Sequence, residues 1–202
     1  MNLPPHIVTA LEARNIVVVI GKPRMGKTRY ALDIAASFTL DARPIPVLLL
    51  APGSNRKALL RRLKATWKPA RLRAAPLFVD TAPRLWPVQM WFRAWQVDRT
   101  LRRRGARLGL IIVDDFHCIG GRSHAQRLSD CKILAREMGL PVIVLARPHP
   151  SLTAALRQER VASITLPPRA KPSPSSCSPD ETPTNIRLRS QEINDIEQGD
   201  CQ

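Results

Sequence analysis

The sequence predicts an α/β fold, a mostly parallel β-sheet with helices on both faces. Three observations predict it. Short apolar runs alternate with longer stretches of helical periodicity along most of the chain, and strands joined through helices make right-handed crossovers and a parallel sheet. One such run, 16–20, leads into Gly21-Lys22-Pro23-Arg24-Met25-Gly26-Lys27-Thr28, which reads G-x-x-x-x-G-K-T and is followed by a helix-like segment. Another unbroken apolar run, 108–113, ends in Asp114-Asp115, the pattern of a strand buried on both faces with carboxylates at its tip.

The elements follow in order. Residues 7–14 read as a helical turn preceded by Pro4 and Pro5. A strand at 16–20 delivers the chain to the glycine-rich turn. Residues 29–38 continue as a helix, so the whole unit is a phosphate-binding loop between strand and helix. Its glycines let backbone N–H groups close around phosphates, and the helix N-terminus adds partial positive charge. The span Gly21 to Thr28 with Arg29 is the candidate nucleotide-binding segment. Lys27 is placed to neutralise the β and γ phosphates of ATP, and the Thr28 hydroxyl to ligate Mg²⁺, a cation that takes few protein ligands. A strand at 47–51 and a basic helix at 54–66 with Ser54 as N-cap come next. Then come a short strand at 77–80 and a long helix at 86–104. That helix carries Trp91, Phe92 and Trp95, with Trp91 and Trp95 on one face and read as core rather than as base-stacking groups. The strand ending at Asp114 is a Walker B pattern and is expected on a strand neighbouring the phosphate loop; Asp114 is the second candidate metal ligand. Asp115 either polarises a water or faces solvent. Lys27, Asp114 and Asp115 are the candidate catalytic groups. A helix at 124–138 and strands at 141–146 and 161–166 complete the domain, 1–166. From Pro167 the chain turns Pro- and Ser-rich, and 167–202 is expected to be a disordered tail.

Composition narrows the function. With 202 residues and 44% apolar content the chain can bury one sizeable core. No apolar stretch is long enough to span a bilayer and the N-terminus lacks a secretion-signal pattern, so a cytoplasmic protein with no membrane role is expected. The four cysteines, Cys118, Cys131, Cys177 and Cys201, have no C-x-x-C spacing, which indicates neither a disulfide framework nor a zinc site. The net charge of +16 sits in the folded part, where residues 1–166 hold 28 Lys and Arg against 10 Asp and Glu. Clusters at Arg56, Lys57, Arg61, Arg62 and Lys64, and at Arg99, Arg102, Arg103, Arg104 and Arg107, suit a polyanion, and nucleic acid is the expected partner.

Three segments carry a family resemblance. N-I-V-V-V-I-G-K-P-R-M-G-K-T-R-Y-A-L-D-I-A at 15–35, with Pro23 and Met25 inside the loop, resembles the phosphate loop of the DnaB-type replicative helicases. G-L-I-I-V-D-D-F-H-C-I at 109–119 is similar to their Walker B strand and following loop. L-A-R-E-M-G-L-P-V-I-V-L-A-R at 134–147 is similar to the helix-to-strand segment that ends at their γ-phosphate sensor. The resemblance covers most of 15–166 and implies a RecA-like ATPase core using ATP and Mg²⁺, acting on single-stranded DNA, as a ring or with a helicase or replication partner. It also implies two loops facing the nucleic acid, 116–124 with His117, Arg122 and His124, and 147–157 with Arg147, His149 and Arg157. With Arg102, Arg103 and Arg104, the arginines Arg122, Arg147 and Arg157 form the candidate nucleic-acid set.

The departures concern turnover. Where that family carries a water-polarising glutamate after the second strand, this chain reads Leu50-Ala51-Pro52-Gly53-Ser54, with no carboxylate. The sensor strand finishes Ala146-Arg147-Pro148 instead of in a polar pair, so the γ-phosphate contact is lost unless Arg147 replaces it. Neither the family's arginine finger nor its helical N-terminal domain has a counterpart. Losing such groups costs orders of magnitude in phosphoryl-transfer rate. Three readings stand: a compact ATPase acting on single-stranded DNA, a nucleotide-binding accessory protein with little hydrolysis that contacts DNA or a helicase, and a small-molecule kinase. The long insertion of strands between the loop and the Walker B strand argues against the kinase.

Overall fold

The structure is a computed structural model that describes residues 16–166 apart from 68 and 122. The expected helical turn at 7–14 and the tail at 167–202 lie outside the described residues. Six strands form one sheet: β1 (Ile16–Ile20), β2 (Val47–Leu50), β3 (Leu77–Asp80), β4 (Leu110–Asp114), β5 (Val142–Ala146) and β6 (Ala162–Thr165). They lie in the order β3-β2-β4-β5-β1-β6, every pairing parallel. The helices are α1 (Lys27–Thr39), α2 (Arg56–Thr66), α3 (Pro69–Ala74), α4 (Pro87–Arg102), α5 (His124–Met138) and α6 (Pro150–Gln158).

Alternate strand residues feed two cores. Val19, Leu49, Ile112 and Leu145 pack under Leu32, Ala35, Leu59 and Leu63 of α1 and α2. Val18, Leu50, Ile111 and Val144 pack under Met90, Ala94, Leu128, Leu134, Leu152 and Leu156 of α4, α5 and α6. This is why β1, β2, β4 and β5 read as unbroken apolar runs: both their faces are covered, whereas the edge strand β6, Ala162–Thr165, is mostly exposed and carries Ser163 and Thr165. The two-sided α/β architecture expected from the sequence is the one observed.

Four local expectations differ. The helix after β2 is capped by Asn55, not Ser54, because the Asn55 side chain accepts the N–H groups of Lys57 and Ala58 at 2.9 and 3.2 Å. The span 147–157 is mostly helical rather than a loop. Pro150 occupies its first turn, where a missing N–H costs nothing, and His149 caps it through the Ser151 N–H. A short helix, α3, stands where the sequence reading has no element. Trp91 and Trp95 are not core: they are 43% and 38% exposed, and Met90, Ala94, Asp98 and Leu101 form the buried face instead.

Asp98 is a buried carboxylate with two structural jobs. It accepts the Leu108 N–H at 3.1 Å and pairs with Arg102 Nε at 2.6 Å, closing the turn between α4 and β4. Asp98→Ala leaves a buried N–H without an acceptor and is expected to lower stability by about 2 kcal/mol in urea unfolding, whereas Asp98→Asn, which keeps an oxygen acceptor, loses less. Equal losses in the two variants would show that the Leu108 N–H does not need that acceptor.

Candidate nucleotide site

The site is built where β1 ends. Gly21 N–H donates to Ala146 O at 3.1 Å and Leu166 N–H donates to Ile20 O at 2.8 Å, so the start of the loop is tied to both flanking strands. A Cβ on Gly21 would stand 3.1 Å from Lys27 Cγ; its absence lets the lysine stem lie back along the loop. Gly26 adopts φ +85°, a left-handed turn that starts α1 directly. No side chain caps α1 and its first turn holds no acid, which leaves forward-pointing N–H groups and an uncompensated dipole suited to an anion. Lys22, Pro23 and Arg24 are exposed on the loop, with Arg24 at φ 65°. Lys22 N–H points at Met25 Sδ, 3.0 Å away, and Arg29 turns along the helix to Asp33 at 3.6 Å.

Lys27 Nζ donates to Gly21 O at 2.8 Å and Lys22 O at 3.1 Å. Burial holds its pKa below the ordinary lysine value and the Arg147 charge adds to this, against Asp114 and Asp115. Asp114, at the tip of β4, is 4% exposed and hydrogen-bonded to Thr28. Its pKa is raised, chiefly by burial and then by Asp115, while the Thr28 bond and the charges of Lys27 and Arg62 oppose the rise. Thus Lys27, Thr28 and Asp114 converge, although β4 is not the neighbour of β1: β5 stands between them, with Leu145 level with both Val19 and Asp114. β1 and β4 are two strand spacings apart, about 9.6 Å, and it is the phosphate-loop turn and the first turn of α1 that carry Thr28 across to Asp114. Arg62, which approaches Asp114 from α2, had no signal in the sequence beyond its place in a basic run.

Asp115 does not face solvent freely. It sits at φ 71°, and its Oδ2 accepts Arg147 Nη2 at 2.8 Å while its Oδ1 is buried without a hydrogen-bond partner. Arg147 is thereby held at the edge of the candidate nucleotide site, close enough for its charge to act on Lys27. Behind it runs a chain of three histidines. His117 Nε2 lies 3.0 Å from the Arg147 N–H and 3.3 Å from the Arg147 carbonyl; the shorter contact makes Nε2 the acceptor. His117 Nδ1–H then donates to His124 Nε2 at 3.3 Å, His124 Nδ1–H to the Ser151 hydroxyl, and that hydroxyl to His149 Nδ1 at 2.7 Å. One backbone donor fixes every tautomer in the row. Burial holds both His117 and His124 below the ordinary imidazole value.

The remaining arginines are not gathered into one surface. In a parallel sheet each helix returns toward the opposite edge, so the C-terminal ends of α4 and α6 place Arg102, Arg103, Arg104 and Arg157 at the edge far from the phosphate loop. Arg102 is also engaged by Asp98. Arg122 lies outside the described residues. At the end of β2 no carboxylate is found, and Asp80 at the end of β3 is held by Arg93 at 3.1 Å and by the Ala82 N–H.

No protein-family model matches the chain. A replicative DNA helicase DnaB of Nostoc is 27% identical over 170 residues, covering 70% of this chain and 19% of the helicase. That of Synechocystis is 26% identical over 166 residues, covering 68% and 19%. The chain thus spans about a fifth of the length of these curated relatives. Among solved structures, a DnaB-like replicative helicase, described with its interactions with primase, aligns over 75% of this chain and 46% of its own with TM-score 0.59 and 19% identity. A second solved structure, an ATPase domain, aligns over 75% and 68%, also at 0.59, with 18% identity. The chain is similar to the DnaB C-terminal domain. The DnaB-like fold is RecA-like, with an all-parallel sheet and helices on both faces. No helix among the described residues is long and apolar enough to cross a membrane.

The histidine row makes a pH prediction for this DnaB-like core. His117 and His124 have lowered pKa values, so on acidification the unfolded chain takes up protons first and stability falls as pH drops below the ordinary imidazole value, 6.5. Asp114 acts with the opposite sign, since its raised pKa lets the folded state bind a proton more readily. In an Asp114→Asn background the urea midpoint is therefore expected to decline from pH 7.5 to 5.5, and adding His117→Gln with His124→Gln should flatten the decline. An undiminished decline in the triple variant would locate it elsewhere.

Proposed function

We propose that this chain binds ATP with Mg²⁺ and acts as a DnaB-like ATPase on single-stranded DNA, in replication or DNA processing, as a homo-oligomeric ring or beside a helicase partner in the cytoplasm. The observation that carries the nucleotide half is the hydrogen bond between Thr28 and buried Asp114, beside Lys27 at the uncapped start of α1. A hydroxyl and a carboxylate already sharing one proton position are an oxygen pair of the kind a hard divalent cation takes. Thr28 and Asp114 would hold the cation, which supplies charge neutralisation across the β and γ phosphates. The loop amides and Lys27 bind and orient the phosphates; Lys27 must exchange its bonds to Gly21 O and Lys22 O for them. The arginine surplus and the DnaB relatives support the DNA half.

A second reading, a nucleotide-binding accessory protein with slow hydrolysis, is favoured by one observation. The carboxylate best placed to orient a water, Asp115, is spent on Arg147, and the β2 end offers no other. ATP turnover with and without single-stranded DNA, on protein of known oligomeric mass, separates the two: DNA-stimulated turnover selects the ATPase, and tight binding without turnover selects the accessory role. Lys27→Ala is expected to weaken ATP binding by about 3 kcal/mol, roughly a hundredfold in Kd by calorimetry. Unchanged affinity would end the nucleotide reading.

A further inference from the structure

Beside the phosphate site, on the same edge of the sheet, a cavity of about 420 Å³ opens between the segment entering α4 and the loop after β4. A parallel bridge between Leu85 and Ile119, and the Gly120 N–H on Leu85 O at 2.9 Å, fasten the two segments together. Trp86 forms one wall. It is 52% exposed, and its ring lies over Gly120 so closely that a Cβ there would come within 2.5 Å of it. Arg84, Arg127 and His117 supply its charged and imidazole side chains, beside the 118–121 loop and Pro83, and no carboxylate is among the described residues that line it. Arg127 gives one N–H to Gly121 O at 3.2 Å and keeps a buried Nε without a hydrogen-bond partner.

We infer that this cavity receives one nucleotide unit of a single-stranded nucleic acid, the base lying on Trp86 and the phosphate meeting Arg84 and Arg127. An aromatic wall with two cations and no acid selects a flat ring carrying an anion. What makes the ligand a strand rather than a free nucleotide is the helix that begins at the cavity. The outer face of α4 exposes Trp91, Phe92 and Trp95, with Trp91 and Trp95 nearly parallel at 6.4 Å and Arg99 5.1 Å over Trp95, and it ends at Arg102, Arg103 and Arg104. Sixteen residues of helix give a track of about 24 Å along which the stacking faces of Trp91, Phe92 and Trp95 give way to the cations Arg99 and Arg102 to Arg104. A polymer follows such a track; a mononucleotide fills only its first place. The proposal rests on the nucleic-acid half of the proposed function and adds the residues that would grip the strand.

The test uses the full chain and a labelled oligothymidylate, with binding read by anisotropy across a salt series, and ATP-analogue affinity and thermal midpoint measured in parallel. Trp86→Ala is expected to weaken the oligomer about tenfold, the loss of one stacked base, Trp86→Phe to recover most of it, and Arg84→Gln to reduce the salt slope by about one. Trp91→Ala with Trp95→Ala, away from the cavity, should also weaken the oligomer. ATP-analogue affinity should stay as in the parent, and each variant should still unfold in one cooperative transition. If the parent binds the oligomer and all these variants bind it equally well, the cavity and track are overturned while action on DNA stands. If thymidine monophosphate displaces the oligomer at equal nucleotide concentration, the ligand is a free nucleotide and the strand assignment fails. A parent chain that binds no oligomer overturns both this inference and the DNA half of the function.

Discussion

The parallel pairing of β5 with β1 on one side and β4 on the other is the constraint on which the site depends. Leu145 is the shared register point, level with Val19 and with Asp114. Because it is, the loop leaving β1 and the carboxylate ending β4 emerge at the same height, and Thr28 meets Asp114 across the intervening strand. A one-residue slip of β4 against β5 would turn the side chains of β4 over and carry Asp114 to the opposite face of the sheet, away from Thr28. The buried Val, Ile and Leu residues on both faces of β4 and β5 prevent that slip, so the precision of a polar site is enforced by apolar packing some distance from it.

β5 also delivers Arg147, and here the structure binds several groups into one unit. Arg147 is held at three points: its guanidinium on Asp115, its N–H on His117, and its chain direction by the cap of α6 at His149. Asp115 pays for this with a left-handed backbone and an unpartnered buried oxygen. An arginine so constrained next to Lys27 is a fixed positive charge rather than a mobile one. Protonating His117 would remove the lone pair that accepts the Arg147 N–H and leave Nε2 able to donate only to the carbonyl, so the arginine's placement is linked to the protonation of a histidine three residues beyond Asp114.

Much of this is legible in the sequence because burial leaves a simple trace. Unbroken apolar runs locate the central strands to within a residue or two, while β6, with Ser163 and Thr165, leaves a weaker trace, and the glycines with Lys27-Thr28 locate the loop, since few other residues fit a turn that needs Gly26 at φ +85°. Strand order leaves no such trace. Nothing in 108–115 says that β5 will stand between it and β1, which is why the sequence alone suggests a neighbouring strand for Asp114. Periodicity likewise shows that Trp91 and Trp95 share a face of α4 but not which way it looks; the small and buried Ala94, with Met90 and Leu101, marks the inner side. The span 147–157 is expected as a loop on the resemblance alone, whereas Pro150 in the first turn and the His149 cap begin a helix there.

The outward face of α4 resolves an apparent conflict in the charge distribution. Arg102, Arg103 and Arg104 stand at the sheet edge opposite the phosphate loop, too far to share one contact with Arg147 or the loop after β4, and Arg102 has a structural partner in Asp98. Taken alone they would be a solvated helix end. Connected to the other edge by exposed tryptophans at 91 and 95 and by Arg99 stacked on one of them, they become the far end of a surface that runs from apolar rings to cations. Three large aromatics exposed on one helix keep apolar surface in water at a cost that a solvated basic face does not need. Two copies of so basic a helix would repel, and an uncharged apolar partner would bury cations such as Arg99 against a surface with no charge to meet them. A strand of bases and phosphates satisfies both kinds of group at once, with each stacked base also drawing a phosphate to the neighbouring guanidinium.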